Sequence, residues 1–250
     1  MKVPRARIGT SGFAYKDWLG NFYPPACPQG DFLKFYATKF NTVELDVTFY
    51  RLPTAAMIKK WAATVPDGFT FAAKFPRVVT HEGETADRIN NAVAFCEVMR
   101  HMESRLGPLL LQFAYGFKPD QADLLWRILD ALPKDMPIAV EIRNKSWLVP
   151  KFYTELRTRN IVLCQVDHPW MPRITERTGK FAYIRFLGDQ KTLTEDFSYV
   201  RFPHEDHLAW WSDVIKSYEG DVSDIYAYFN NHFSGHAPTS AFRILELLAK

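Results

Sequence analysis

Eight short apolar runs punctuate the chain, and each ends in a knot of polar or charged residues. They cover residues 6–11, 42–50, 69–75, 109–113, 138–143, 161–167, 181–186 and 225–230. All are rich in Val, Ile, Phe, Leu or Ala, as buried strands are. Between most of them apolar residues recur at helical spacing, over 31–40, 54–64, 85–105, 120–132, 150–159 and 204–217. A last helix is expected over 238–249, with Pro238 where a first turn tolerates it. Residues 168–180 carry Pro169, Pro172 and Gly179 and read as a loop with at most a short turn.

Strands alternating with helices predict an α/β fold with a parallel sheet, and eight such units predict closure. The expectation is a single (β/α)8 TIM barrel, a parallel eight-stranded barrel with outer helices, forming one domain over residues 1–250. The rival is an open doubly wound sheet. It would want a Gly-rich phosphate turn after the first strand, and GTSG at 9–12 is not GxGxxG.

A barrel builds its site at the C-terminal strand ends, and strand side chains alternate between faces. In the second run Val43, Leu45, Val47 and Phe49 share a face suited to packing under helices, while Glu44, Asp46, Thr48 and Tyr50 share the inward one. In the fifth, Ile138, Val140 and Ile142 face outward and Glu141 and Arg143 inward. The seventh places Tyr183 and Arg185 opposite Ile184 and Phe186. The same parity adds Lys74, Gln112, Asp167, Tyr228 and Asn230 to the mouth.

The expected mouth thus sets Glu44, Asp46, Glu141 and Asp167 against Lys74, Arg143 and Arg185. Buried charges are costly unless paired. They could form an ion-pair network without chemistry, but a barrel core normally fills with branched apolar side chains, so the cluster points to a site. Arg77 and His81 follow the third run, Trp147 the fifth, and Trp18 and Tyr23 the first. For any one of these rings, packing onto the barrel top competes well with ligand stacking. The last run ends in Asn230, Asn231 and His232, with Ser234 and Gly235 before the final helix. A loop of that kind is a common phosphate site in barrels, and ordinary capping is its plain alternative.

Bulk properties narrow the class only modestly. Net charge is +3, which permits an anionic partner without the concentrated basic stripe of a dedicated nucleic-acid binder. The odd cysteine count, Cys27, Cys96 and Cys164, with no CxxC spacing, argues against a disulfide framework or structural zinc. No GxSxG elbow occurs, and Cys164 reads as a mid-strand core residue. The carboxylates with His232 or His168 could hold a divalent metal, yet HxH and HExxH spacings are missing and cations compete for the carboxylates. No cofactor is therefore expected, with a divalent metal left as an alternative. MKVPRARIGT has no apolar stretch like that of a secretory leader, and no run reaches membrane-spanning length. The expectation is a cytoplasmic protein without membrane partners.

The segments GTSGFAYKDWLGNFYP, NTVELDVTFYRLP, FAAKFPRVVTH, LGPLLLQF, EIRNKSW, YIRFLG and YAYFNNH together resemble the successive motifs of the YecE-like family, domain of unknown function 72. The likeness runs over nearly the whole chain. It implies a (β/α)8 barrel in bacterial or archaeal cytoplasm and no settled activity; a likeness of the family to endonuclease-IV-like barrels has suggested DNA binding by analogy. The family motifs carry over Glu44, Thr48, Tyr50, Arg51, Lys74, Arg77, His81, Gln112, Glu141, Arg143, Trp147, Arg185, Asn230 and Asn231. Three positions depart from the pattern: Phe13 stands for Trp, Asp46 for Asn, and Leu187-Gly188 for His-Gly.

The expected activity is that of an enzyme on a phosphate-bearing ligand: a nucleotide, a nucleic-acid end or a sugar phosphate. Glu44, Asp46, Lys74 and Glu141 are the catalytic candidates, with Glu141 or Glu44 as acid or base and Lys74 stabilising negative charge. Tyr50, Arg77, His81, Gln112, Arg143, Trp147, Asp167, Arg185, Asn230 and Asn231 are the binding candidates, with the arginines clamping the anion. The alternatives are a non-catalytic single-stranded nucleic-acid binder and a glycosidase acting on a neutral sugar.

Overall fold

The computed structural model describes residues 5–189, 191–192 and 195–250. The first four residues, part of the stretch read for a leader, lie outside them.

The described strands are β1 (Arg5–Thr10), β2 (Thr42–Leu45), β3 (Thr70–Lys74), β4 (Leu106–Gln112), β5 (Ile138–Glu141), β6 (Val162–Leu163), β7 (Gln165–Asp167), β8 (Ala182–Phe186) and β9 (Asp224–Phe229). The helices are α1 (Phe32–Tyr36), α2 (Ala55–Thr64), α3 (Arg77–Thr80), α4 (Thr85–Met99), α5 (Ala122–Ala131), α6 (Pro150–Thr158), α7 (Glu205–Lys216), α8 (Asn231–Ser234) and α9 (Ala237–Leu248). The main predicted helices are present, several of them shorter than expected. The segment 168–180 is irregular, and α3 and α8 are short additions directly after strands.

Every strand pair is parallel. Hydrogen bonding gives two sheets, one in the order β1-β9-β8-β7 and one in the order β2-β3-β4-β5-β6, rather than one continuous ring. The sixth predicted strand is divided at Cys164, whose amide still donates to Val140 O at 2.8 Å. The other sheet boundary lies between β1 and β2. There Thr10 N donates to Tyr36 Oη at 2.9 Å, and Tyr36 Oη donates to Thr42 O at 3.1 Å. One phenol thus links two backbones where no ladder runs, with the Ser11/Glu44 bridge above it.

Gly9 makes that approach feasible. A Cβ there would lie 2.3 Å from Thr42 O and 2.9 Å from Tyr36 Oη. Gly9→Ala is therefore expected to cost about 1–3 kcal/mol, as overpacking does. Thermal unfolding beside the control Gly30→Ala, where a Cβ meets nothing within 4 Å, measures it. Equal midpoints for the two variants would remove the close approach as a constraint.

The two strand faces bury different material. One packs Val43, Leu109, Val140, Ile184 and Phe229 into a large core with helical residues such as Phe95, Ile128, Leu156 and Ile244. The other holds a smaller cluster in which Tyr183, Tyr226 and Tyr228 share space with Ala72, Leu110, Ala139 and Val162. Large rings from β8 and β9 are matched by small residues on β3 and β5, the complementarity that dense interiors require. Charged groups begin one strand step beyond these rings, at Arg185 and Glu141.

Two predicted facings are corrected. The second strand stops at Leu45, and residues Val47–Phe49 form a 3-10 turn. Alternation ends with the strand, so Val47 is exposed and Phe49 reaches the mouth. Asp167 points away from the mouth. It accepts from Trp211 Nε1 at 2.7 Å and sits 3.0 Å from His207 Nδ1, both on α7.

Candidate functional site

A cavity of about 580 Å3 opens at the C-terminal strand ends. Lys74 reaches it from the end of β3, Gln112 from β4, Arg185 from β8, Arg143 from just past β5, and Asn230 from just past β9. Asp46, Phe49 and Tyr50 come from the turn after β2, and His81 from the end of α3.

Beneath the cavity lies a buried charge network. Arg185 Nη1 donates to Glu141 Oε2 at 2.5 Å and Nη2 to Glu44 Oε1 at 2.8 Å. Both carboxylates are fully buried. Glu44 also accepts from Ser11 Oγ at 2.7 Å and from Tyr183 Oη at 2.6 Å. Arg143 Nε donates to Glu141 Oε1 at 2.7 Å. Burial alone would push the Glu141 pKa up, but Arg185 and Arg143 hold it down at about 2. The two glutamates raise the Arg185 pKa despite its burial. Neither glutamate lines the cavity. Both are engaged with Arg185 below the cavity rather than on its wall, where the expectation of an acid or base had set them.

The groups on the cavity wall have different chemistry. Burial, then the neighbouring Glu44 charge, raises the Asp46 pKa. Burial, then Arg185, lowers that of Lys74 to about 8. Lys74 Nζ lies 3.6 Å from the Phe49 ring centroid, and among the described residues no carboxylate is within ion-pair distance of it. Desolvation also lowers the pKa values of His81 and His168, so both imidazoles are neutral at pH 7. His81 Nδ1 bonds Thr80 Oγ1 at 2.7 Å, and His168 Nδ1 accepts from Trp170 N at 3.1 Å. On one wall burial thus drives a carboxyl up and an amine down.

Of the other predicted residues, Tyr50, Gln112 and Asn230 also line the cavity, and Gln112 Nε2 donates to Phe113 O at 2.6 Å. Four binding candidates fall outside it. Arg77 pairs with Glu82 on the surface. Trp147 is buried against Phe117 and donates to its carbonyl at 3.0 Å. Asp167 faces α7, as described above. Asn231 is buried, and its Oδ1 accepts from Trp18 Nε1 and Ala237 N. His236 caps the Thr239 amide, so at the start of α9, where an anion and ordinary capping were the two readings, one amide has a protein partner. Trp18 and Tyr23, expected at the rim, are buried in packing. Among the described residues no group of three or more metal-ligating side chains is gathered.

Sequence reasoning missed Tyr15, Phe49, Tyr115, Trp170, Asp189 and Lys191, which also line the cavity. Most follow a strand directly, so the strand-end rule reaches them once every loop residue is weighed. Gly12, at φ +79°, packs against both Tyr15 and Asp46. Beside the mouth lies a second cavity of about 470 Å3, holding Asp167, Arg173, His204 and His207 and sharing His168, Asp189 and His232 with the first. No helix of the described residues is long and apolar enough to cross a membrane.

The comparisons with known proteins agree with this architecture. A DUF72 family protein of Thermotoga maritima superposes with a TM-score of 0.83 at 28% identity, covering 98% of this chain and 100% of its own. One from Enterococcus faecalis gives 0.80 at 25% identity, covering 98% and 96%. The UPF0759 protein YunF of Bacillus subtilis is 25% identical over 96% of this chain and 94% of its own length. UPF0759 protein YecE of Escherichia coli is 31% identical over 49% of this chain and 43% of its own. The family described as "Protein of unknown function DUF72" matches residues 7–250. With its motifs, its sheets and its full-length relatives in accord, the chain belongs to the DUF72 family.

Proposed function

We propose that the two sheets act as one eight-stranded (β/α)8 barrel forming a single domain, and that the chain is an enzyme acting on a small phosphate-bearing ligand in the mouth. The carrying observation is Lys74, a cavity amine with no carboxylate partner among the described residues, sharing the wall with Asp46, whose pKa burial raises. Lys74, Arg143 and Lys191 supply positive charge for the phosphate, while Glu44 and Glu141 hold Arg185 in place. Asp46 and Lys74 carry protons, and neutral His81, Gln112 and Asn230 orient the ligand through hydrogen bonds.

Rings at the mouth favour a nucleotide or nucleic-acid end over a bare sugar phosphate. Tyr50, Tyr115 and Trp170 are 80%, 67% and 51% exposed along the cavity edge, as stacking platforms are. The same rings support a second reading, binding of single-stranded nucleic acid without turnover.

The test is a thermal-shift titration with inorganic phosphate, nucleoside monophosphates and short single-stranded oligonucleotides. A nucleotide at a hundred times its dissociation constant would stabilise the fold by about 2.7 kcal/mol. Lys74→Met removes one charge-assisted contact of about 1.5–3 kcal/mol, so nucleotide affinity should fall about 10–100-fold. Unchanged affinity would remove Lys74 from the site. Stabilisation by oligonucleotides alone, falling steeply with salt, selects the second reading.

A further inference from the structure

We propose that the Lys74 amine is a nucleophile whose Nζ adds to the carbonyl carbon of an aldehyde or ketone that also carries a phosphate, forming an imine inside the mouth. This rests on the mouth being the seat of a phosphate-bearing ligand, and it narrows that ligand to one with a carbonyl group.

Among the described residues Lys74 ends on no carboxylate, and the two glutamates beneath it are bonded to Arg185. Its Nζ rests on the Phe49 ring at 3.6 Å and lines the cavity. The backbone beneath is fixed: Thr48 Oγ1 donates to Lys74 O at 2.6 Å, and Lys74 pairs with Leu110 in the sheet. The amine is thus aimed from a rigid strand end, on an apolar platform, beside cationic neighbours. Desolvation and adjacent cations activate an amine for addition to a carbonyl. With a pKa of about 8, roughly one-tenth of it is uncharged at pH 7, against well under a thousandth for an ordinary lysine.

The amine lone pair attacks the carbonyl carbon, a C–N bond forms, and the C=O π pair becomes a hydroxyl by taking a proton. The first N–H proton passes to that oxygen; the C–O bond then breaks as the nitrogen lone pair forms C=N, the hydroxyl leaves as water with a proton from the Asp46 carboxyl on the same wall, and the Asp46 carboxylate takes the remaining N–H proton back. The net change is amine plus carbonyl giving imine plus water. Arg143, which spends Nε on Glu141, and Lys191 remain for the phosphate.

Pyridoxal 5′-phosphate, which bears both groups, is the probe, with pyridoxal as its phosphate-free counterpart. Wild-type protein is mixed with one equivalent of either at pH 7, reduced with borohydride and mapped by peptide mass spectrometry. Lys74 is expected to take at least tenfold more label from the phosphorylated probe than the exposed Lys59 or Lys60. Its labelling should rise with pH to a midpoint near 8. The visible imine band should vanish in Lys74→Arg, which keeps the charge. Labelling of Lys74 no greater than that of Lys59 overturns the proposal. Two outcomes separate it from its foundation. A thermal shift by the phosphorylated probe with Lys74 unlabelled keeps the phosphate site and sinks the imine. Equal labelling by both probes keeps the imine and sinks the phosphate site.

Discussion

Arg185→Met should cost about 3–5 kcal/mol of folding stability, because it leaves two fully buried glutamates facing each other without their shared cation. In a chain of this size each kcal/mol moves the melting midpoint by about 2–4 °C, so a fall of about 6–20 °C is expected. The deficit belongs to stranded charge, not to lost attraction. Replacing the whole group, as Glu44→Gln, Glu141→Gln and Arg185→Met together, should therefore recover much of it. Calorimetry on the single and triple variants reads both numbers. A loss under about 1 kcal/mol in the single variant would mean that the glutamates are not ionised in the fold.

The acid limb of stability should carry the signature of Glu141. Its folded pKa of about 2 lies below the unfolded value of 4.5, so the folded state binds its proton more weakly. The stabilisation is complete above pH 4.5 and drains away as the pH falls towards 2. The gap is worth about 3 kcal/mol. Asp46 works in the opposite sense: its raised pKa means that the fold takes up that proton before the unfolded chain does. Urea unfolding at several pH values, with Glu141→Gln alongside, isolates the difference. The gap between wild type and variant should shrink by about 3 kcal/mol between pH 5 and pH 2. Parallel curves would remove Glu141 as the source.

Much of the site was legible because period-two alternation holds inside true strands. Glu141, Arg143, Tyr183 and Arg185 could be assigned to the inward face from spacing alone, and inverse spacing sent Ile184 and Phe186 to the helices. Reading failed where alternation stopped or where a partner was far away in sequence. Phe49 looked outward only while residues 47–50 were counted as strand. Asp167 looked like a mouth carboxylate because its actual partners, His207 and Trp211, lie on α7, 40 and 44 residues further on. Asn231 and Trp147 bear polar atoms that a ligand could use, yet each bonds to a protein group from another loop, Trp18 and the Phe117 carbonyl. The closed ring was the natural reading of eight repeats, while the hydrogen bonds divide at Cys164 and between β1 and β2. Two of the departures from the family pattern, Asp46 and Leu187-Gly188, fall on the mouth wall itself.

The tyrosines of β8 and β9 give the charge layer a floor of packed rings. Tyr183 and Tyr228 are fully buried, and their hydroxyls are bonded to Glu44 and Thr42. Arg185 and Lys74 meet the cavity on the side away from these rings. A ligand seated in the mouth would displace water from the open side of that layer. Once it is seated, the dielectric around the amine falls on every side, and each charge beneath it is felt more strongly than in the empty protein.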